Sequence, residues 1–274
     1  MSRLLRIFAL SVALTATVCL LAWAQARYEV ATDQAAVIQV SGTVEGLSTG
    51  QTAWKPLVES SLLRAGDRIR TRSDSGAAIL LSDQTIMKLA ENSELLLVDL
   101  RLSENGNWIR RFQLKVGRVW SDVTPMEKAD SIFEVQGPDA MAAVKGTAFE
   151  VEAGDDGTEV RVWEGSVLAT QKDGPASDVI GDDPRFAHNR FRVARQGGVS
   201  RSRFAHSQAD PWQQWNLANR QALLKLRQNK RLDAVKLKAI RQRFKQAPPP
   251  ARQRLRRTAP NRPGPGPLRP RPRR

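Results

Sequence analysis

The sequence is poor in the residues that most often carry out chemistry. Cys19 is the single cysteine, and His188 and His206 are the only histidines among 274 residues. One thiol excludes an internal disulfide and a metal held by paired cysteines. Both histidines fall in a stretch rich in Gly, Asp, Ser and Arg, away from any carboxylate cluster of the sequence, and read as surface residues. No Gly-x-Ser-x-Gly elbow, phosphate-binding loop or His-Glu-x-x-His pair occurs. Asp155-Asp156 and Asp182-Asp183 offer oxygens to a cation, but each pair adjoins glycine or proline, where aspartate ordinarily serves a turn. No catalytic residue, cofactor or metal is expected.

Long apolar runs are also scarce. The main uncharged stretch is Ile7 to Leu21, preceded by Arg3 and Arg6. It is followed by Ala22-Trp23-Ala24 and Ala24-Gln25-Ala26, two small-x-small sites. That order predicts a signal peptide over residues 1–26 and a periplasmic or secreted product. The alternative is an inner-membrane anchor, because the run approaches the length that spans a bilayer. Val18 before Cys19 is a poor context for lipidation.

Acidic residues are missing from the last part of the chain. Residues 27–184 hold 16 basic and 26 acidic side chains, whereas 185–246 hold 16 and two, and 247–274 hold nine arginines and no acid. An acidic body joined to a basic end predicts an anionic partner for that end. Arg252, Arg254, Arg256, Arg257, Arg269, Arg271, Arg273 and Arg274 are the candidate anion-binding residues. In an exported protein, anionic lipid or lipopolysaccharide is a nearer ligand than nucleic acid. The Pro/Arg composition of 247–274 leaves little to bury, so a disordered tail is expected there.

From Gln34 to about Thr170 apolar residues alternate, with turn residues every 8 to 15 positions. This predicts many short strands in a β-roll or sandwich, mainly β and without parallel βαβ crossovers. The clearest unit is the hairpin 146–167. Its Gly154-Asp155-Asp156-Gly157 loop sets Val151 opposite Val160, Phe149 opposite Val162 and Glu150 opposite Arg161. It also faces Glu152 with Glu159.

The all-β unit is drawn over 27–174, and 175–209 is expected to be an irregular linker with one short strand at Phe191 to Val193. Asp210-Pro211 then looks like an N-cap and first helical residue, opening a basic amphipathic helical segment over 210–246. Leu237, Ile240 and Phe244 share one stripe of it. Trp212 and Trp215 suit either docking onto the β body or an interfacial helix.

Residues 54–95 resemble the FecR domain of bacterial extracytoplasmic proteins. Trp54, Gly66-Asp67, Arg70-Thr71, Gly76 to Leu81, Asp83 and Ser93 follow that family's pattern, with Gln84-Thr85 replacing its usual Gly-Ser. "GRVWSDV" from Gly117, "VKGTAFEV" with Lys145, Gly146, Thr147 and Phe149, and "VRVWEGSV" with Glu164 and Gly165 are similar to its closing blocks. Lys145 stands where that family has arginine, which keeps the charge and loses the planar fork.

The resemblance implies architecture at these positions. Gly146 turns a corner, Thr147 bonds nearby backbone, and Lys145 is exposed or paired with a carboxylate such as Asp67. The family's founding member regulates a sigma factor across a membrane. Only six residues precede the apolar run here, so that arrangement is not carried over. The expectation is a non-enzymatic binding or scaffold module that contacts an envelope protein or polymer. The alternatives are an anchored signalling protein, or a glycan-active enzyme with two carboxylates facing one cleft.

Overall fold

A computed structural model describes residues 30–227 and, beyond them, Lys238 and Gln242. The expected signal peptide, the tail with its nine arginines and most of 228–246 lie outside the described residues. Seventeen strands and one α-helix make up the regular structure of the described chain. The strands are β1 (Gln34–Ser41), β2 (Val44–Leu47), β3 (Lys55–Pro56), β4 (Leu62–Arg64), β5 (Arg68–Thr71), β6 (Gly76–Leu81), β7 (Ile86–Leu89), β8 (Glu94–Leu102) and β9 (Trp108–Asp122). They continue with β10 (Ile132–Gln136), β11 (Ala140–Val144), β12 (Ala148–Gly154), β13 (Gly157–Glu164), β14 (Ser166–Gln171), β15 (Ser177–Gly181), β16 (Arg190–Ala194) and β17 (Val199–Ser202). A 3₁₀ turn, His206–Gln208, leads into α1 (Pro211–Arg227).

The strands form two sheets that share β9. One runs β4-β1-β6-β7-β9-β12-β13-β16-β17. The other runs β3-β2-β5-β8-β9-β10-β11-β14-β15. Only β9–β10 is parallel; the other pairings are antiparallel. The first half of β9 pairs with β8 and β10, and its second half, from Gly117, pairs with β7 and β12. After β9, hairpins alternate between the sheets, so consecutive pairs of strands build the two layers together.

The change of sheet falls at Gly117, where φ is +91°. A Cβ there would lie 2.5 Å from the Cα of Ser93. Glycine alone combines that backbone with so close an approach, which lets one strand bend from layer to layer.

Side chains alternate across each strand, and the inward set is apolar. Val119, Phe149, Val151, Val160 and Val162 from one sheet meet Leu95, Leu97, Phe112, Leu114, Phe133 and Val135 from the other. Phe133 lies with its ring centroid 5.4 Å from Phe112 and 6.2 Å, edge-on, from Phe149. The expected hairpin has the anticipated register: 149 pairs with 162, 150 with 161, 151 with 160 and 152 with 159.

The linker assignment needs correcting. Residues 175–209 contribute β15, β16 and β17, and Ile180, Phe191 and Val193 enter the core. The glycines and aspartates that suggested irregular chain form the tight turns between these short strands. Asp183 illustrates this: its Oδ1 accepts the Arg185 N–H at 2.8 Å. The β-region thus extends past 174 to Ser202.

At the next boundary the expected helix cap is present. Asp210 Oδ1 accepts the Gln213 N–H at 2.9 Å, and Gln213 Oε1 accepts the Asp210 N–H at 2.9 Å, a reciprocal cap at the start of α1. Among the described residues no helix is long and apolar enough to cross a membrane.

The β6–β7 turn explains the Gln84 departure. Gln84 has φ +67°, a left-handed conformation that glycine adopts without strain. Gln84→Gly is expected to stabilise the fold by about 1 kcal/mol, read as a higher denaturation midpoint with unchanged slope.

Candidate binding surfaces of the two sheets

The residues singled out in the sequence are dispersed and committed to local structure. Asp67 accepts backbone N–H groups from Thr49 through Oδ1 and from Arg64 through Oδ2, both at 2.9 Å. Gly66 N–H donates to Leu97 O at 2.6 Å, and Gly165 O accepts from Asp182 N–H at 3.2 Å. Thr71 is buried; its hydroxyl donates to Ala90 O at 2.5 Å and accepts from Ser93 N–H at 3.0 Å.

Trp54 and Arg70 do meet. The guanidinium lies 3.9 Å from the ring centroid, while its Nε donates to Glu45 at 2.9 Å. Arg70 and Arg72 hold the Glu45 carboxyl below the ordinary carboxylate range, against a smaller opposing effect of desolvation.

Gly146 turns the corner into β12 as its sequence suggested. Its φ is +143°, and a Cβ would lie 2.7 Å from the Cα of Pro125. Thr147, buried beside it, donates its hydroxyl to Ser166 O at 2.9 Å. Phe149 is wholly buried in the core.

Of the two settings expected for Lys145 the exposed one is found: it does not pair with Asp67, and its Nζ donates to Ala129 O at 2.6 Å, bracing the 123–131 loop. One expectation is corrected: the histidines are not remote from carboxylates. His188 Nδ1 lies 3.2 Å from Asp178 Oδ2, and His206 Nε2 lies 3.0 Å from Asp182 Oδ1. The fold returns both aspartates to the histidine-bearing chain through β15, a strand not anticipated from sequence.

The sheet containing β7, β12 and β13 has its outer face covered by α1. Trp120 and Trp163 project outward and stack with centroids 5.4 Å apart; Phe204, Ala209 and Trp212 close over them. Around this aromatic patch runs a seam of buried charge. Glu150 is 0% exposed. Its Oε1 accepts from Arg118 Nε at 3.2 Å and from Arg161 Nη1 at 2.6 Å. Both of its oxygens accept from Gln213 Nε2, at 3.1 and 3.0 Å.

Arg118 reaches Asp210 at 2.8 Å and lies 4.8 Å from the Trp212 ring centroid. Lys88 Nζ donates to Asn216 Oδ1 at 2.8 Å and sits 4.8 Å from the Trp215 ring. Arg220 pairs with Asp122 at 3.6 Å and with Glu164. Of the two alternatives for the tryptophans, docking is the one observed.

Electrostatics favour the cationic form of two arginines in this seam. Burial disfavours the Arg161 cation, but Glu150, Glu159 and Glu152 outweigh it and lift the guanidinium above the usual arginine range. Arg118 is raised in the same way, with burial opposed by Glu150, Glu152 and Asp210. The arrangement fixes the helix at several points along its length, and its carboxylates serve as acceptors for neighbouring cations.

The other sheet carries no such cover among the described residues. Of the seven large apolar side chains that are exposed, Val98, Leu102, Val116, Leu168 and Val179 belong to its strands. Leu168 and Val179 pair directly across β14 and β15 and are 45% and 51% exposed.

Sequence reading sets Glu150 against Arg161 but misses the cover that buries the pair, and it misses Lys88, Arg118, Gln213, Asn216 and Arg220. A signal was present in the repeated Arg-Val-Trp of β9 and β13. When valine faces the core, arginine and tryptophan share the outer face, and an outward tryptophan needs a cover.

Among the described residues no three His, Cys, Asp or Glu side chains gather as a metal site requires. No curated protein matches the chain. Two crystal structures of a "putative anti-sigma factor" from Parabacteroides distasonis ATCC 8503 resemble it at 18% and 17% identity, with TM-scores of 0.41 and 0.42. The similarity covers 50% and 53% of this chain and spans 59% and 63% of theirs. The family model described as FecR protein matches residues 67–168, from the aspartate that ties 49 to 64 through to β14. Residues 67–168 are a FecR domain.

Proposed function

We propose that the protein is an exported, non-enzymatic binding or scaffold module of the bacterial envelope. Its FecR domain is the contact-making body, and the arginines of 252–274 engage an anionic partner. The observation that carries this reading is the seam beneath α1. The domain holds a polypeptide helix on an outer face through charge centred on the buried Glu150, while its motif residues are taken up by turns and register. A body of this kind recognises by surface. The FecR match supports a role in envelope signalling by contact with a protein or polymer partner.

The test is crosslinking in intact cells with the full chain and with a version ending at Gln246. Both versions are expected to capture the same envelope partner, whereas binding to vesicles of anionic lipid is expected only of the full chain. Absence of any captured partner with both versions would overturn the module reading. So would turnover of a cell-wall glycan by the purified protein. Equal vesicle binding by both versions would remove the role given to the arginines.

A further inference from the structure

The two sheets differ in one respect that demands an occupant. One outer face lies under α1, and the other presents a patch of apolar side chains. Ile109 and Ile132 pair across β9 and β10, Ala143 and Leu168 across β11 and β14, and Leu168 and Val179 across β14 and β15; Met141 adjoins them on β11. Leu168 and Val179 are about half exposed and the other four are partly so.

This patch lies toward one rim of the sandwich. That rim is marked by the end of β9 at Asp122, the start of β10 at Ile132 and the end of β13 at Glu164. Contacts across the loops join these ends: Gly146 packs on Pro125, Lys145 bonds Ala129, and Thr147 bonds Ser166. The same rim receives the later turns of α1, because Arg220 pairs with Asp122 and Glu164. The chain beyond Arg227 therefore starts close to the edge over which the open face begins.

Charge points the same way. Glu104, Glu127 and Asp130 lie in the two loops of this rim, exposed and without an ion pair to another described residue. Residues 228–246 carry seven basic side chains against one acidic. They also contain Leu237, Ile240 and Phe244, at the i, i+3, i+7 spacing of one helical face. Lys238 and Gln242, four residues apart, are helical and exposed, and at helical spacing they fall away from that stripe. As a helix, 19 residues reach about 28 Å, enough to pass the rim and lie along the open sheet.

We propose that residues 228–246 of the same chain cross the acidic rim and seat the 237/240/244 stripe on the open face, over Leu168 and Val179. The protein then clasps its own FecR domain on both sides, α1 on one sheet and the following segment on the other. This occupant is distinct from the envelope partner proposed above and does not depend on it.

Hydrogen exchange on the purified full-length protein tests the proposal. Amides of 228–246 are expected to exchange at least about tenfold more slowly than a free helix of that length. That protection should be lost in Leu168→Asp/Val179→Asp while the amides of α1 stay unchanged. Both substitutions fall on exposed positions, so the α1 readout reports an intact fold.

A second measurement uses a Cys19→Ser background with Val179→Cys and Phe244→Cys and a short bismaleimide. The expected product is a crosslink within one chain. Crosslinks only between chains would assign the face to a second copy and overturn the proposal. Unprotected amides in 228–246 of the parent protein, or protection that survives the double aspartate variant, would overturn it as well.

Discussion

Glu150→Leu is expected to lower the free energy of unfolding by about 3 kcal/mol. Glu150 is the common acceptor for Arg118, Arg161 and Gln213 and has no access to solvent. Leucine fits an apolar neighbourhood, but the groups left behind are cations. The cost falls at the lower end of the range for breaking a buried pair, because Arg118 retains Asp210 and Arg161 retains Glu152 and Glu159.

The loss should be uneven along the chain. Amides of α1 should exchange faster than those of β12 and β13, since Gln213 and Arg118 both join the helix to this carboxylate. Thermal unfolding followed by hydrogen exchange checks both parts. An unchanged Tm, or equal acceleration in helix and strands, would mean that the seam does not hold the helix.

Gly117→Val is expected to cost about 3–4 kcal/mol. Part of this is the left-handed φ of +91°, worth about 1–2 kcal/mol against a side chain. The rest comes from forcing a Cβ to within 2.5 Å of the Ser93 backbone, an overpacking of about 1–3 kcal/mol. The obstruction is the Cβ itself, so Gly117→Ala should cost nearly as much as valine. Denaturant titration of the pair distinguishes this from a simple size effect, in which valine would be far worse than alanine.

How legible these features were follows from how local their causes are. The register of β12 and β13 depends on a two-residue turn and on alternation within twenty residues, and the sequence carries both. The need for glycine at 146 and the cap at Asp210 are equally local.

What escaped was set by distant chain. β15 and β17 are short, and their polar outward residues look like loop; only their neighbours β14 and β16 make them strands. Arg118, Arg161 and Glu150 occupy outward positions, which alternation assigns to solvent. They are buried because a distant helix lies over them, its contacts falling 63 residues beyond Glu150 and 92 beyond Arg118. The histidine–aspartate pairs depend on the same unanticipated strand.

The sharing of β9 has a consequence for how the molecule comes apart. Each layer owns one half of the same strand, so neither layer can release it without exposing the other's edge. Melting should therefore proceed as a single event across both sheets, with matching transitions whether the probe is Trp120 on one side or Trp108 on the other.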